Sequence, residues 1–283
     1  MQIHGIYPAE NSRAAPLSSI AVQQFGGIDG PALSIKISDA LRDARIDGQS
    51  YFNVGPASVM READAVLTGT VATDVRTSRS GSKEVSRCVK RDDKRDCVER
   101  RKVKVRCEQL NLSVRPTLRL IGPEGDMIHS ENAQSTRQVR FCEGERQPSI
   151  EPLVEQSLDE IAQRVRFSLA PQQRVENIRI LESRSGMARA DSRAFKDAIR
   201  MSKSDEGVAC DAFATLEPSV GEHVSLLFNL GLCAEARGDF TNAGDYYRRA
   251  IASDPSKSHA GDGLARLRQR ERAEEQLAEH YGS

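Results

Sequence analysis

The sequence predicts an α/β fold, a mixed sheet packed by helices, joined to an all-α helical carboxy-terminal domain. Three observations predict it. Between residues 18 and 183, short apolar runs alternate with helical patterns. Residues 98–121 alternate apolar and polar with one change of parity, the period of a strand that buries one face. From Val224 to Pro255, small, aromatic and helix-stopping residues fall at the offsets that two antiparallel helices require. The expected organisation is a flexible segment over 1–17, an α/β domain over 18–183 with a charged hairpin insertion over 76–106, and a helical domain over 184–283.

The first strand, Ile20 to Phe25, runs into Gly26 and Gly27. A helix follows, with Asp29 and Pro31 at its start and Leu33, Ile37, Leu41 and Ala44 down one face. Asp47-Gly48 ends it. Tyr51 to Val54 reads as a second strand, Pro56 to Ala63 as a short second helix, and Ala65 to Val75 as a third strand with Leu67, Gly69, Val71 and Val75 on one face.

Longer antiparallel strands come next. Val103, Val105 and Cys107 occupy odd positions, whereas Leu110, Leu112, Val114, Leu118 and Leu120 occupy even ones. That switch predicts a β-bulge at Glu108-Gln109, because one inserted residue keeps the apolar side facing one core. Gly122-Pro-Glu-Gly-Asp126 is a hairpin turn, and a returning strand from Met127 to Cys142 brings Cys142 opposite Cys107. A helix from Ile150 to Leu169 buries Leu153, Leu158, Ile161 and Val165, with Ser149 as its cap, and Arg174 to Leu181 is the last strand of the sheet.

The helical region begins with Ala188 to Met201 and Glu206 to Leu216, the latter ending before Pro218. In the next hairpin Gly231 and Ala243 are small where helices cross, Gly238 ends the first helix, Phe240, Tyr247 and Ile251 fill the seam, and Pro255 stops the second. The run Leu230, Gly231, Gly238, Phe240, Ala243, Tyr247, Ala250, Pro255 resembles one tetratricopeptide repeat, a family of about 34-residue modules that bind partners and do no chemistry. A helix from His259 to His280 would cap it. Ser225, Phe228, Leu232 and Glu235 recur at three-residue and four-residue steps, as a partner-binding groove or as a face packed on the preceding helix.

Formal net charge is zero, so there is no whole-protein basic field of the kind a dedicated nucleic-acid binder carries. No apolar run is long enough to span a bilayer as a helix. Met1 to Arg13 lacks the regions of a secretory signal, which leaves open a leader removed upstream. The six cysteines fall as chain neighbours: Cys88 and Cys97, Cys107 and Cys142, Cys210 and Cys233. Three disulfides in an oxidising compartment, or six buried reduced thiols in a cytosolic scaffold, both fit this spacing. Zinc does not, since no C-x2-C pair exists and the five histidines are scattered.

The insertion is the second candidate site. Between Asp74 and Cys107 there are thirteen basic residues against six acidic, a surplus of seven. Lys90, Arg91, Lys94 and Arg95 crowd the loop between Cys88 and Cys97, and Arg87 adjoins it. A charged edge that blocks sheet-to-sheet aggregation and a docking surface for an acidic protein, anionic glycan or lipid head group both fit. Nucleic acid fits poorly, as no aromatic residue lies between Arg76 and Arg106 to stack on bases. No catalytic, cofactor-binding or metal-ligating residues emerge: Asp92-Asp93 sits in a charged loop, and no phosphate-binding glycine motif or nucleophile arrangement is present.

The segments IAVQQFGGIDGPALSIKISDALRDARIDGQSYFNVG, READAVLTGTV and NLSVRPTLRLIGPEGDMIHS resemble the periplasmic α/β domain of CsgG-like secretion proteins, LpoB-like activators and the TolB amino-terminal domain. The resemblance covers about residues 18 to 183. It implies a non-enzymatic bacterial envelope protein, periplasmic or associated with the outer membrane, that assembles or regulates other machines by docking. Envelope proteins are the implied partners, with peripheral membrane contact, and a ring-forming homo-oligomer is the alternative. Two departures matter. The insertion is too charged to line a lipid-embedded barrel, and the family's lipid-attachment cysteine is absent from the residues given.

Overall fold

The structure, a computed structural model, describes residues 1–132 and 134–282. In chain order the elements are β1 (Gln2–Tyr7), β2 (Ser19–Val22), α1 (Gly30–Arg42), β3 (Arg45–Ile46), β4 (Gln49–Ser50), β5 (Asn53–Pro56), β6 (Ala65–Arg91), β7 (Cys97–Ile121), β8 (Met127–Glu131) and β9 (Ser135–Cys142). Then follow α2 (Glu151–Leu169), β10 (Gln172–Asn177), α3 (Arg189–Met201), α4 (Glu206–Val220), α5 (Val224–Ala236), α6 (Phe240–Ser253) and α7 (His259–Gly282). The fold is mixed α/β with a helical carboxy-terminal region. It divides into a sheet unit, Leu17–Ala170, and a helical unit formed by Met1–Pro16 with Pro171–Ser283.

In the sheet unit the strand order is β5-β2-β6-β7-β8, with β9 also paired to β7. Strand β2 lies parallel to β5 and β6, and the later strands are antiparallel. Asp64 fixes the entry to β2: its Oδ2 accepts from the Ser18 and Ser19 amides, each at 2.8 Å. Gly27 has a φ of +93°, and a Cβ there would meet Val71 O at 2.0 Å, so only glycine lets the chain pass β6. Helices α1 and α2 pack side by side, and Leu33, Ile37, Leu41, Leu158, Ile161 and Val165 are buried beneath them.

Several local expectations change. The helix expected from Pro56 to Ala63 is absent: Pro56 closes β5 and residues 57–63 form turns, because so short a run cannot offset the cost of helix nucleation. The single strand expected from Met127 to Cys142 is two strands, β8 on residues 118–121 of β7 and β9 on 107–114. Ile150, not Ser149, occupies the cap position of α2.

The parity switch has a different cause from the one expected. Strand β7 pairs with β9 in unbroken register from Cys107↔Cys142 to Val114↔Ser135, so no residue is inserted at Glu108-Gln109. The irregularity sits on β6, where Arg79 pairs with Glu108 but Ser82 pairs with Arg106, leaving Ser80 and Gly81 opposite Cys107. Gly81, at a φ of +78°, absorbs the bulge. The apolar residues of β7 change parity because burial changes face. Leu110, Leu112 and Val114 lie on the helix-covered face, whereas Val105 and Cys107 join Val85, Val103 and Cys142 in a small cluster on the other.

In the helical unit the two end segments meet. Strand β1 pairs antiparallel with β10, from Gln2↔Asn177 to Tyr7↔Gln172, so residues 2–7 are ordered where a flexible segment was expected. Strand β10 accordingly belongs with β1 and not with the main sheet. Helix α7 holds the same segment: Gln276 bonds both the amide and the carbonyl of Ala9, at 2.8 and 3.1 Å. Helices α3 to α7 each pack on the next. Helix α4 runs through Pro218 to Val220, with Gly221 as its cap, because a proline in the final turn removes a single bond. The Tyr247 ring fits against Gly231 and Gly263, where added Cβ atoms would approach it to 2.5 and 2.6 Å. Buried Asn229 clamps both backbone groups of Leu181 at 2.9 Å.

Three tyrosines of this unit ionise late. Burial, then the Glu217 carboxylate, pushes Tyr246 up to about 12. Burial, then Glu235, raises Tyr247 further, and burial with Glu176 raises Tyr7. Each folded value lies above the unfolded value of about 10, so the native state holds its protons longer. The associated stability is fully present below about pH 10 and falls as pH rises beyond it. Urea midpoints should therefore drop between about pH 9 and about pH 11, and Tyr247→Phe should flatten that drop.

Candidate functional site

The charged insertion forms a two-stranded ribbon, the far ends of β6 and β7, extending past the last residues paired to β9. Disulfides join Cys88 to Cys97 near its tip and Cys107 to Cys142 at its base, and a third joins Cys210 to Cys233 between α4 and α5. Three disulfides indicate an oxidising, extracytoplasmic environment. Among the described residues no helix is long and apolar enough to cross a membrane.

The tip is a tight turn. Arg95 N–H donates to Asp92 O, and Asp92 Oδ1 accepts from the Lys94 and Asp96 amides at 3.0 and 2.8 Å. Arg95 takes a φ of +67°, and Arg91 Nη1 donates to its carbonyl. Arg87, Lys90, Arg91, Lys94 and Arg95 are all exposed, as a docking surface requires. They are not equivalent: Arg87 pairs with Glu143 at 3.5 Å, and Arg91 and Arg95 hold the turn.

The ribbon has two unlike faces. One carries the cluster of Val85, Val103, Val105 and Cys107, and three of its cations are paired: Lys83 with Glu145, Arg87 with Glu143, Arg101 with Glu99. Glu145 also accepts from the Cys142 amide at 2.8 Å. The Lys83 ammonium first, and that amide second, hold the Glu145 carboxyl below its usual value. The other face carries Arg100, Lys102, Lys104 and Arg106 at alternate positions of β7, all exposed and none in an ion pair among the described residues. These four belong to the basic surplus of the insertion, outside the five residues expected to form the docking surface. Their signal was the two-residue period, R-x-K-x-K-x-R, that sets them apart from Arg101, Val103 and Val105.

The second expected surface is absent as a surface. Ser225, Phe228, Leu232 and Glu235 are at most 1% exposed. Phe228 meets Tyr247 of α6 and His259 of α7, with ring centroids 5.8 Å away in each case. Glu235 accepts from Tyr247 Oη at 2.6 Å and from Arg266 Nη2 at 2.8 Å, with Arg270 at 3.7 Å. The periodicity on α5 was that of a helix buried all round, whose polar member is neutralised by two arginines of α7.

No protein-family model matches the chain, and no curated protein matches it. Solved structures that resemble part of it include a variant of the PelC dodecamer from Paraburkholderia phytofirmans in space group C2. That likeness has 13% identity, covers 59% of this chain and 98% of that one, and has a TM-score of 0.26. A second PelC dodecamer structure, in space group P6, gives 13% identity, 58% and 97% coverage and a TM-score of 0.23. Likenesses of this size carry no argument about fold or function.

Proposed function

We propose that this chain is a non-enzymatic bacterial cell-envelope protein that assembles or regulates other envelope components by docking, with the ribbon as its contact surface. The sheet unit is read as a relative of the CsgG, LpoB and TolB amino-terminal group, and α5 with α6 as a tetratricopeptide-like hairpin that supports the unit from within. The compartment is the periplasm or the periplasmic side of the outer membrane. The observation that carries the reading is the ribbon: two disulfides fix it, and one face presents to solvent four cations that are in no ion pair among the described residues. Fixing a charged hairpin lowers the ordering cost of binding, and surface charge there speeds encounter with an acidic partner.

The test is charge reversal on the full chain. Arg100→Glu, Lys102→Glu, Lys104→Glu and Arg106→Glu together should leave the fold intact, because all four side chains are exposed. The variant should lose its complexes in envelope fractions, read by size exclusion with light scattering. The purified parent should run as a small particle. A ring-sized particle formed without any partner would instead support a self-assembling structural subunit.

A further inference from the structure

We infer that the ribbon binds an acidic peptide segment as an added β-strand, paired to the open edge of β7 between Val98 and Lys104. This rests on the docking reading above and names the partner's chemistry. Strand β9 occupies that edge of β7 only from Val114 to Cys107, and the Glu143 amide still reaches Arg106 O. Beyond that point β7 pairs only with β6 among the described residues, so every second amide and carbonyl faces an empty edge.

The side chains say which strand would fit. Arg100, Lys102, Lys104 and Arg106 project from one face at a spacing of about 6.8 Å, twice the rise of a strand residue. Their partners on β6 are Cys88, Ser86, Glu84 and Ser82, a single carboxylate for four cations. An extended peptide with Glu or Asp at every second residue repeats at that same interval, so each of its carboxylates would stand beside one cation while its backbone completes the ladder. Exposed Val98 lies next toward the tip, at the register shift between Lys90 and Arg91, and offers an apolar end. Charge on an edge repels ordinary apolar strands, and the same charge selects one of opposite sign. The opposite face offers no such row, since Lys83, Arg87 and Arg101 there are each paired with a carboxylate.

The experiment uses the full-length oxidised chain and a synthetic nine-residue peptide of alternating Thr and Glu. A second peptide has the same composition with its Glu residues contiguous. The alternating peptide should bind about tenfold or more tightly than the contiguous one, and should slow hydrogen exchange of the Val98 to Lys104 amides. Lys102→Glu with Lys104→Glu should weaken it about tenfold or more. Equal binding of the two peptides without amide protection would overturn strand addition while leaving the ribbon as a docking surface. So would a failure of both peptides alongside cation-dependent binding to vesicles containing anionic phospholipid. Binding of every probe that is indifferent to the charge reversals would overturn the docking reading as well.

Discussion

Replacing Glu235 with alanine is expected to destabilise the helical unit by about 3–5 kcal/mol, the cost of stranding buried charge. Among the described residues Glu235 is the carboxylate that ion-pairs with both Arg266 and Arg270, with a weaker attraction from Glu176 on Arg266, and the two arginine side chains are only 10% and 6% exposed. Arg270 also donates to His4 O at 2.8 Å, so the disturbance reaches strand β1. The loss would come from uncompensated guanidinium groups more than from a missing contact. Glu235→Gln, which keeps the shape but not the charge, should therefore cost nearly as much. Adding Arg266→Met and Arg270→Met to Glu235→Leu should recover much of the loss, because packed apolar residues can replace a buried ion cluster. Urea denaturation would decide it, and a cost below about 1 kcal/mol for Glu235→Ala would contradict the burial assigned to this cluster.

Removing the Cys107–Cys142 bridge by paired serine substitution should cost the sheet unit about 4 kcal/mol, by the chain-entropy relation for a span of 35 residues. The tip bridge, Cys88–Cys97, closes only 9 residues and should cost about 2.5 kcal/mol by the same relation. The two losses differ in kind as well as size. Cys107 and Cys142 are buried with Val105 in the small second cluster, so that variant also opens apolar surface. The tip pair joins exposed strands, and its loss should loosen the ribbon with little effect on the sheet. Equal losses, or a larger one at the tip, would contradict this ordering.

The pairing of Cys107 with Cys142 was legible because a hairpin with a defined turn fixes which residues face each other. The face change beside it was not. Alternation reports that one side of a strand is apolar, and it cannot tell an inserted residue from a strand that buries opposite faces at its two ends. Gly81 was the clue, a glycine in β6 at the place where the partner strand changes parity. Strand β1 was missed because its partner β10 lies about 170 residues away, with exposed Gln2, His4 and Val175 giving little periodicity. On α5 the three-residue and four-residue steps were real, but a helix with Leu226, Leu227, Leu230 and Leu232 all buried has no free face. The basic ribbon was visible as a surplus of charge. Its division into a paired face and an unpaired face needed the cross-strand partners.

The most direct test of the central claim, that the unpaired face of the ribbon is where this protein docks, is site-specific photocrosslinking in intact envelopes. A crosslinking residue at Val98, 56% exposed beside the cation row, is compared with one at Val208, 50% exposed on α4. The account predicts a discrete adduct from position 98 that maps to an acidic segment of the partner and disappears when Arg100, Lys102 and Lys104 are reversed to Glu. An adduct from position 208 alone, or one from position 98 that survives the reversal, would contradict it.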